Sequence, residues 1–145
     1  MSMIDLASGK IILYRSNFVI TFSLTPEELE KSIPHQIRLK HKTDTNYIHY
    51  NVVCDIDPFE YVMAQISFFK KILYSISFYP QNSTHSLSDL NFSPIDLVSA
   101  RNIAYAWFQK HFKEQSDFTW GTVKFFPGSD PIYGPANIEL KYNTL

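Results

Sequence analysis

The stretch FEYVMAQISFFKKILYSISFY, residues 59–79, decides the fold. Read with a period of two, Val62, Ala64, Ile66 and Phe68 share one face, and beyond Lys70-Lys71 so do Ile72, Tyr74, Ile76 and Phe78. Read as a helix, the same residues would start from Asp57-Pro58-Phe59-Glu60, which satisfies the rules for a helix N-terminus. β-branched and aromatic content decides between the two. Such side chains pack well on a pleated surface and lose rotamer freedom in a helix. Two strands joined at Lys70-Lys71 are therefore expected. Gln65, Lys70 and Lys71 interrupt the segment too often for a membrane span.

Upstream, residues 47–56 put Ile48, Tyr50, Val52, Cys54 and Ile56 on one face and His49, Asn51 and Asp55 on the other, the pattern of a half-buried strand. Residues 11–14 and 18–24 read as an opening hairpin around Arg15-Ser16-Asn17, with Phe18, Ile20, Phe22 and Leu24 sharing a face. Thr25-Pro26-Glu27-Glu28 fits a capping box. The short helix it opens should stop near Ser32, because Pro34 disfavours helical geometry at the residue before it. Downstream, residues 80–91 read as a polar loop, and Ser93-Pro94-Ile95-Asp96 opens a long helix running to about Gln115. Leu97, Ala100, Ala104, Trp107, Phe108 and His111 fall on one side of it, and Ser99, Asn102, Gln109, Lys110 and Lys113 on the other. Residues 118–126 and 136–142 form a closing strand pair around the Pro/Gly-rich stretch 127–135, with Ile138, Leu140 and Tyr142 facing in. The expected fold is α+β, a mainly antiparallel curved sheet with one long and one short helix, with residues 1–145 forming one domain.

Composition agrees with a packed globule: of 145 residues, 45% are hydrophobic and 16% aromatic, with only 4 Gly. With 13 basic against 14 acidic residues, no global field draws the chain to nucleic acid or to an anionic membrane. Cys54 is the single cysteine, which excludes an internal disulfide and agrees with a reducing compartment. Residues 1–12 hold no apolar stretch long enough for a signal peptide, so a cytoplasmic location is expected.

Tests for chemistry return little. Ser67-Phe68-Phe69-Lys70 matches the S-x-x-K pattern of penicillin-recognising acyl enzymes, but lies in an expected hairpin without the companion motifs. His49 and Cys54 stand an odd number of residues apart on one strand, so unless a bulge intervenes they point to opposite faces and cannot form a thiol–base pair. The histidines at 35, 41, 49, 85 and 111 include no pair at zinc-ligand spacing. Gly121, Gly128 and Gly134 make no phosphate-binding loop. No catalytic residue, metal site or cofactor is expected. Asn82-Ser83-Thr84 is a glycosylation sequon without a secretory signal to give it meaning. Arg38, Lys40, His41 and Lys42 read most simply as a solvated strand edge guarded by cations.

The hairpin from Ile66 to Phe78, the amphipathic helix, Phe118-Thr119-Trp120-Gly121-Thr122-Val123, the turn at Asp130 and the final Ala136-Asn137-Ile138-Glu139-Leu140-Lys141-Tyr142 resemble, in that order, small bacterial immunity proteins. These are the cytosolic antidotes encoded beside contact-dependent growth inhibition toxins and related polymorphic toxins. The resemblance covers roughly the C-terminal half. It implies a non-enzymatic protein that binds and neutralises the C-terminal domain of one cognate toxin, a nuclease such as an RNase, in a one-to-one complex. This chain departs from the typical pattern in lacking strong acidity, which leaves the toxin's chemistry open. A helix-bearing, strongly curved antiparallel sheet also resembles the Whirly arrangement of single-stranded nucleic-acid binders, the alternative function. Within the motif, Trp120 reads as a core aromatic, Gly121 as a site of close backbone approach and Tyr142 as a packed strand end.

Nuclease toxins bind phosphate backbones and so present Lys/Arg-rich clefts, to which an inhibitor can offer carboxylates in place of phosphate. Asp55, Asp57 and Glu60 are the densest acidic group outside the expected helix starts, and Phe59 among them can supply an apolar anchor. These four residues are the expected toxin-binding site, on a turn taken to be solvated.

Overall fold

The computed structural model describes residues 4–57, 60–84, 97–128 and 136–143. Its elements are β1 (Ile11–Ile12), β2 (Val19–Ile20), α1 (Pro26–Ser32), a 3-10 turn (Pro34–Gln36), β3 (Ile37–Lys42), β4 (Tyr47–Asp57), β5 (Glu60–Phe69), β6 (Ile72–Thr84), α2 (Leu97–Phe112), β7 (Asp117–Phe118), β8 (Gly121–Phe126) and β9 (Asn137–Tyr142). β1 and β2 pair with each other, and the remaining strands form one antiparallel sheet in the order β3-β4-β5-β6-β9-β8-β7. The α+β fold is as expected, and residues 60–69 and 72–79 are strands rather than helix.

One face of the sheet carries the core. Tyr50, Val52, Cys54 and Ile56 of β4 lie beside Val62, Ala64, Ile66 and Phe68 of β5, then Ile76 and Phe78 of β6 and Ile138 and Leu140 of β9. α2 covers the β6-β9-β8 half with Ala104, Trp107, Phe108 and Phe112. The N-terminal segment adds Ile11, Leu13, Ile20, Leu24, Leu29 and Ile33 to the same core. Burying a side chain of this size contributes about 1.5–3 kcal/mol each, so the core dominates the favourable side of folding. α1 begins as its sequence dictates: Thr25 Oγ1 accepts from the Glu28 amide at 3.2 Å and donates to the Glu28 carboxylate at 3.0 Å. Glu30 then accepts from the Tyr50 hydroxyl at 2.6 Å and from Lys40 Nζ at 3.0 Å, tying α1 to β3 and β4.

Four local expectations are corrected. Ile72 is 56% exposed while Leu73 is buried. A bulge opposes Ser67-Phe68 to Ser75, Tyr74 and Leu73, so the inward phase slips by one residue and Tyr74 joins Ser67 on the face opposite the main core. β6 also continues through Pro80 to Thr84, where a loop was expected, because a second irregularity between Tyr61 and Met63 accommodates extra residues opposite β5. A proline tolerates such a site since no ladder donor is required of it. In the opening hairpin a turn from Thr21 to Leu24, closed by the Leu24 amide on Thr21 O at 3.0 Å, throws Phe22 outward. α2 ends at Phe112, short of Gln115, where Lys113 and Glu114 take φ values of 54° and 60°. Residues 85–96 and 129–135, which include the expected start of the long helix and the Asp130 turn, lie outside the described residues.

Candidate partner-binding site

The expected site lies where β4 turns into β5. Asp57 pairs with Glu60 across the turn, and Pro58 and Phe59 lie outside the described residues. Glu60 is half-buried. Asp55 is the correction: it is only 2% exposed, not solvated. Its carboxylate accepts from the Arg15 amide at 2.7 Å and from Gln36 Nε2 at 3.3 Å, while its own carbonyl accepts from the Tyr14 amide at 2.7 Å. Strand alternation turned Asp55 away from the main core, as expected, but the opening hairpin and the 3-10 turn close over it. These contacts span 40 and 19 residues of sequence, so no local pattern around Asp55 announces them.

Beside the turn is a cleft of about 370 Å³ lined by Arg15, Ser16, His35, Gln36, Asp55 and Tyr61. Gln36 is buried and also donates to Val53 O at 2.8 Å, which fixes its amide at the cleft floor. The Arg15 guanidinium stands 5.5 Å from the centre of the Tyr61 ring, a cation–π contact at the mouth. Tyr61 packs with Val53 and Met63 in a small apolar cluster separate from the main core. Sequence reading missed Arg15, His35, Gln36 and Tyr61. The one legible signal was the polar turn Arg15-Ser16-Asn17, which the hairpin reading took up entirely.

The sheet face opposite the main core carries a second group. His49 Nδ1 and Ser67 Oγ are hydrogen-bonded at 2.8 Å across β4 and β5, with Gln65 Nε2 at 3.4 Å from the same nitrogen. Tyr47, His41, Phe69 and Tyr74 surround the pair, with ring-centre separations of 5.0 Å for His41–His49 and 4.8 Å for Tyr47–Phe69. Desolvation first, and the charge of His41 second, hold the His49 pKa below its usual value. Ser67 and its neighbour resemble a nucleophile and base only in part. Ser67 is buried and shares a hydrogen bond with Tyr74, and Thr43 Oγ1, not a carboxylate, faces the other imidazole nitrogen at 3.5 Å. Lys70 points over Phe69 instead of toward Ser67, which disposes of the S-x-x-K match. Cys54 lies in the core on the opposite face from His49, and burial, then the Asp55 charge, push its thiol pKa up. Among the described residues no three His, Cys, Asp or Glu side chains converge as metal ligands, and no helix is long and apolar enough to cross a membrane.

The Trp-Gly motif is structural. Trp120 Nε1 donates to Leu6 O at 2.8 Å, and the Tyr142 hydroxyl donates to Gly9 O at 2.8 Å. Gly9, at φ 74°, lies against the indole face so closely that a Cβ there would overlap it. The motif therefore clasps the N-terminal segment to β8 and β9.

No family model matches the chain, and no curated protein matches it significantly. Among solved structures, the fold is similar to that of a chain in the complex described as Rhs1-CT in complex with cognate immunity protein RhsI1. The TM-score is 0.51 at 18% identity, covering 98% of this chain and 87% of that chain. At that identity the likeness establishes a shared fold across nearly the whole length of both.

Proposed function

We propose that this protein is a polymorphic-toxin immunity protein, which binds the C-terminal domain of a cognate toxin and neutralises it without catalysis. The observation that carries this proposal is the fold shared over 98% of the chain with a member of a complex between Rhs1-CT and its cognate immunity protein. Support comes independently from the sequence resemblance to immunity proteins in the C-terminal half. The finer parts of the proposal are a nuclease toxin, delivery by contact-dependent growth inhibition or a related route, a one-to-one complex and action in the cytoplasm. The β4–β5 turn, with Asp57, Phe59 and Glu60, is the proposed contact surface, and Asp55 belongs to the floor beneath it. The test is a pull-down and titration with the toxin C-terminal domain encoded next to this chain. A stable stoichiometric complex is expected, and its absence with both partners folded would reject the proposal.

One observation favours a second function. Tyr47, His49, Phe69 and Tyr74 form an aromatic group on the sheet face opposite the main core, with Lys70 beside it, and such platforms can stack single-stranded bases. Oligonucleotide binding that weakens steeply with salt and is lost in Tyr47→Ala would favour it over toxin neutralisation.

A further inference from the structure

Asp55 is buried at the floor of the cleft. A carboxylate offers about four acceptor positions. This one receives two hydrogen bonds, both from uncharged N–H groups, and forms no ion pair with a described residue. An anion withdrawn from water without a counter-charge is destabilising unless something pairs with it. Arg15, which also lines the cleft, directs its backbone amide at Asp55 while its exposed guanidinium stands over Tyr61. The result is a cleft of about 370 Å³ with a buried carboxylate at its floor, a fixed amide beside it and an aromatic wall. The carboxylate and the ring suit a guanidinium or ammonium group through hydrogen-bond acceptance, opposite charge and a π face, while the Gln36 amide, a donor, holds the carboxylate in place.

We infer that the cleft receives a lysine or arginine side chain of the toxin, with Asp55 as its counter-charge and Tyr61 as its wall. This deepens the proposed function and rests on it for the identity of the partner. Arg15 swings outward as the incoming cation takes its place over Tyr61. A toxin that handles phosphate backbones carries such side chains where its substrate binds, so filling the cleft withdraws one of them from that substrate.

The cleft can be tested without the toxin, so its failure is distinguishable from failure of the immunity function. The full chain, labelled with ¹⁵N, is titrated with L-argininamide and separately with citrullinamide, its ureido analogue, which lacks the guanidinium charge. Saturable shifts are expected at the Arg15 amide and the Gln36 side-chain amide with argininamide, with at least about tenfold weaker binding of citrullinamide. Asp55→Asn should abolish the argininamide response while the rest of the spectrum keeps its dispersion. Should that variant not fold, the comparison of the two ligands on the wild-type chain decides alone. Equal response to both ligands, or none, overturns the inference. Binding seen only in Arg15→Gln also overturns it, because Arg15 would then be the resident counter-charge.

Discussion

A Cβ at position 121 would fall on the carbonyl oxygen of Lys141, in the backbone of the neighbouring strand. Gly121→Ala should therefore push β8 from β9 and lower stability by about 1–3 kcal/mol, read as a lower urea midpoint with an unchanged m-value. An unchanged midpoint would mean that the strands separate without cost. His49 gives a second prediction at this scale. Its pKa is lower in the folded chain than the ordinary 6.5, so the unfolded chain binds its proton first as pH falls. The neutral ring's contribution is thus fully present above about pH 6.5 and is lost as pH drops through the folded pKa. Glu30 adds a separate acid-side loss below its ordinary 4.5, because hydrogen bonds first from Tyr50 and then from Lys40 favour its charged form. Denaturant titrations of wild type and His49→Gln between pH 7 and 5 should converge at the lower pH. Parallel curves would show that His49 is not the titrating group.

At the scale of elements, the β5–β6 hairpin turns on Lys70 and Lys71, at φ 50° and 67°. A two-residue turn with both centres left-handed is normally built from Asn-Gly, and lysine is strained there. Lys70→Asn with Lys71→Gly should stabilise the chain by about 0.5–1 kcal/mol in thermal melts. The lost Lys71–Glu27 ion pair, 70% and 64% exposed, subtracts little. A lower melting temperature would mean that this pair or the lysine stems matter more than backbone strain. The β4–β5 turn carries the interface prediction. Asp57→Asn with Glu60→Gln should leave the fold intact, slow association with the toxin and flatten its dependence on salt, as removal of rim charges does. Unchanged kinetics, measured by stopped flow across salt concentrations, would place the contact elsewhere. Asp55 is left out of that variant, since it holds Arg15 and Gln36 in place.

Across the whole molecule, what could be read from sequence is what depends on neighbours along the chain. The period-two runs of residues 48–56, 62–68 and 138–142 gave strands with the right inward faces, and Thr25 with Glu28 marked the start of α1. Ala100, Ala104, Trp107, Phe108 and His111 turn inward on α2 as their spacing requires. Misreadings arose where long-range pairing overrides local phase: the bulge that exchanges Leu73 for Ile72, and the hairpin closing over Asp55. The cleft was illegible for the same reason. Its walls come from residues 15–16, 35–36, 55 and 61, brought together only by the sheet and its N-terminal cover. Growth of cells tests the proposed toxin neutralisation most directly. A toxin C-terminal domain from a neighbouring reading frame is induced in cells that carry the chain, the Asp57→Asn/Glu60→Gln variant or neither. Growth with the wild-type chain, arrest without it and partial protection by the variant are predicted. Arrest despite abundant, folded wild-type chain would contradict the immunity function.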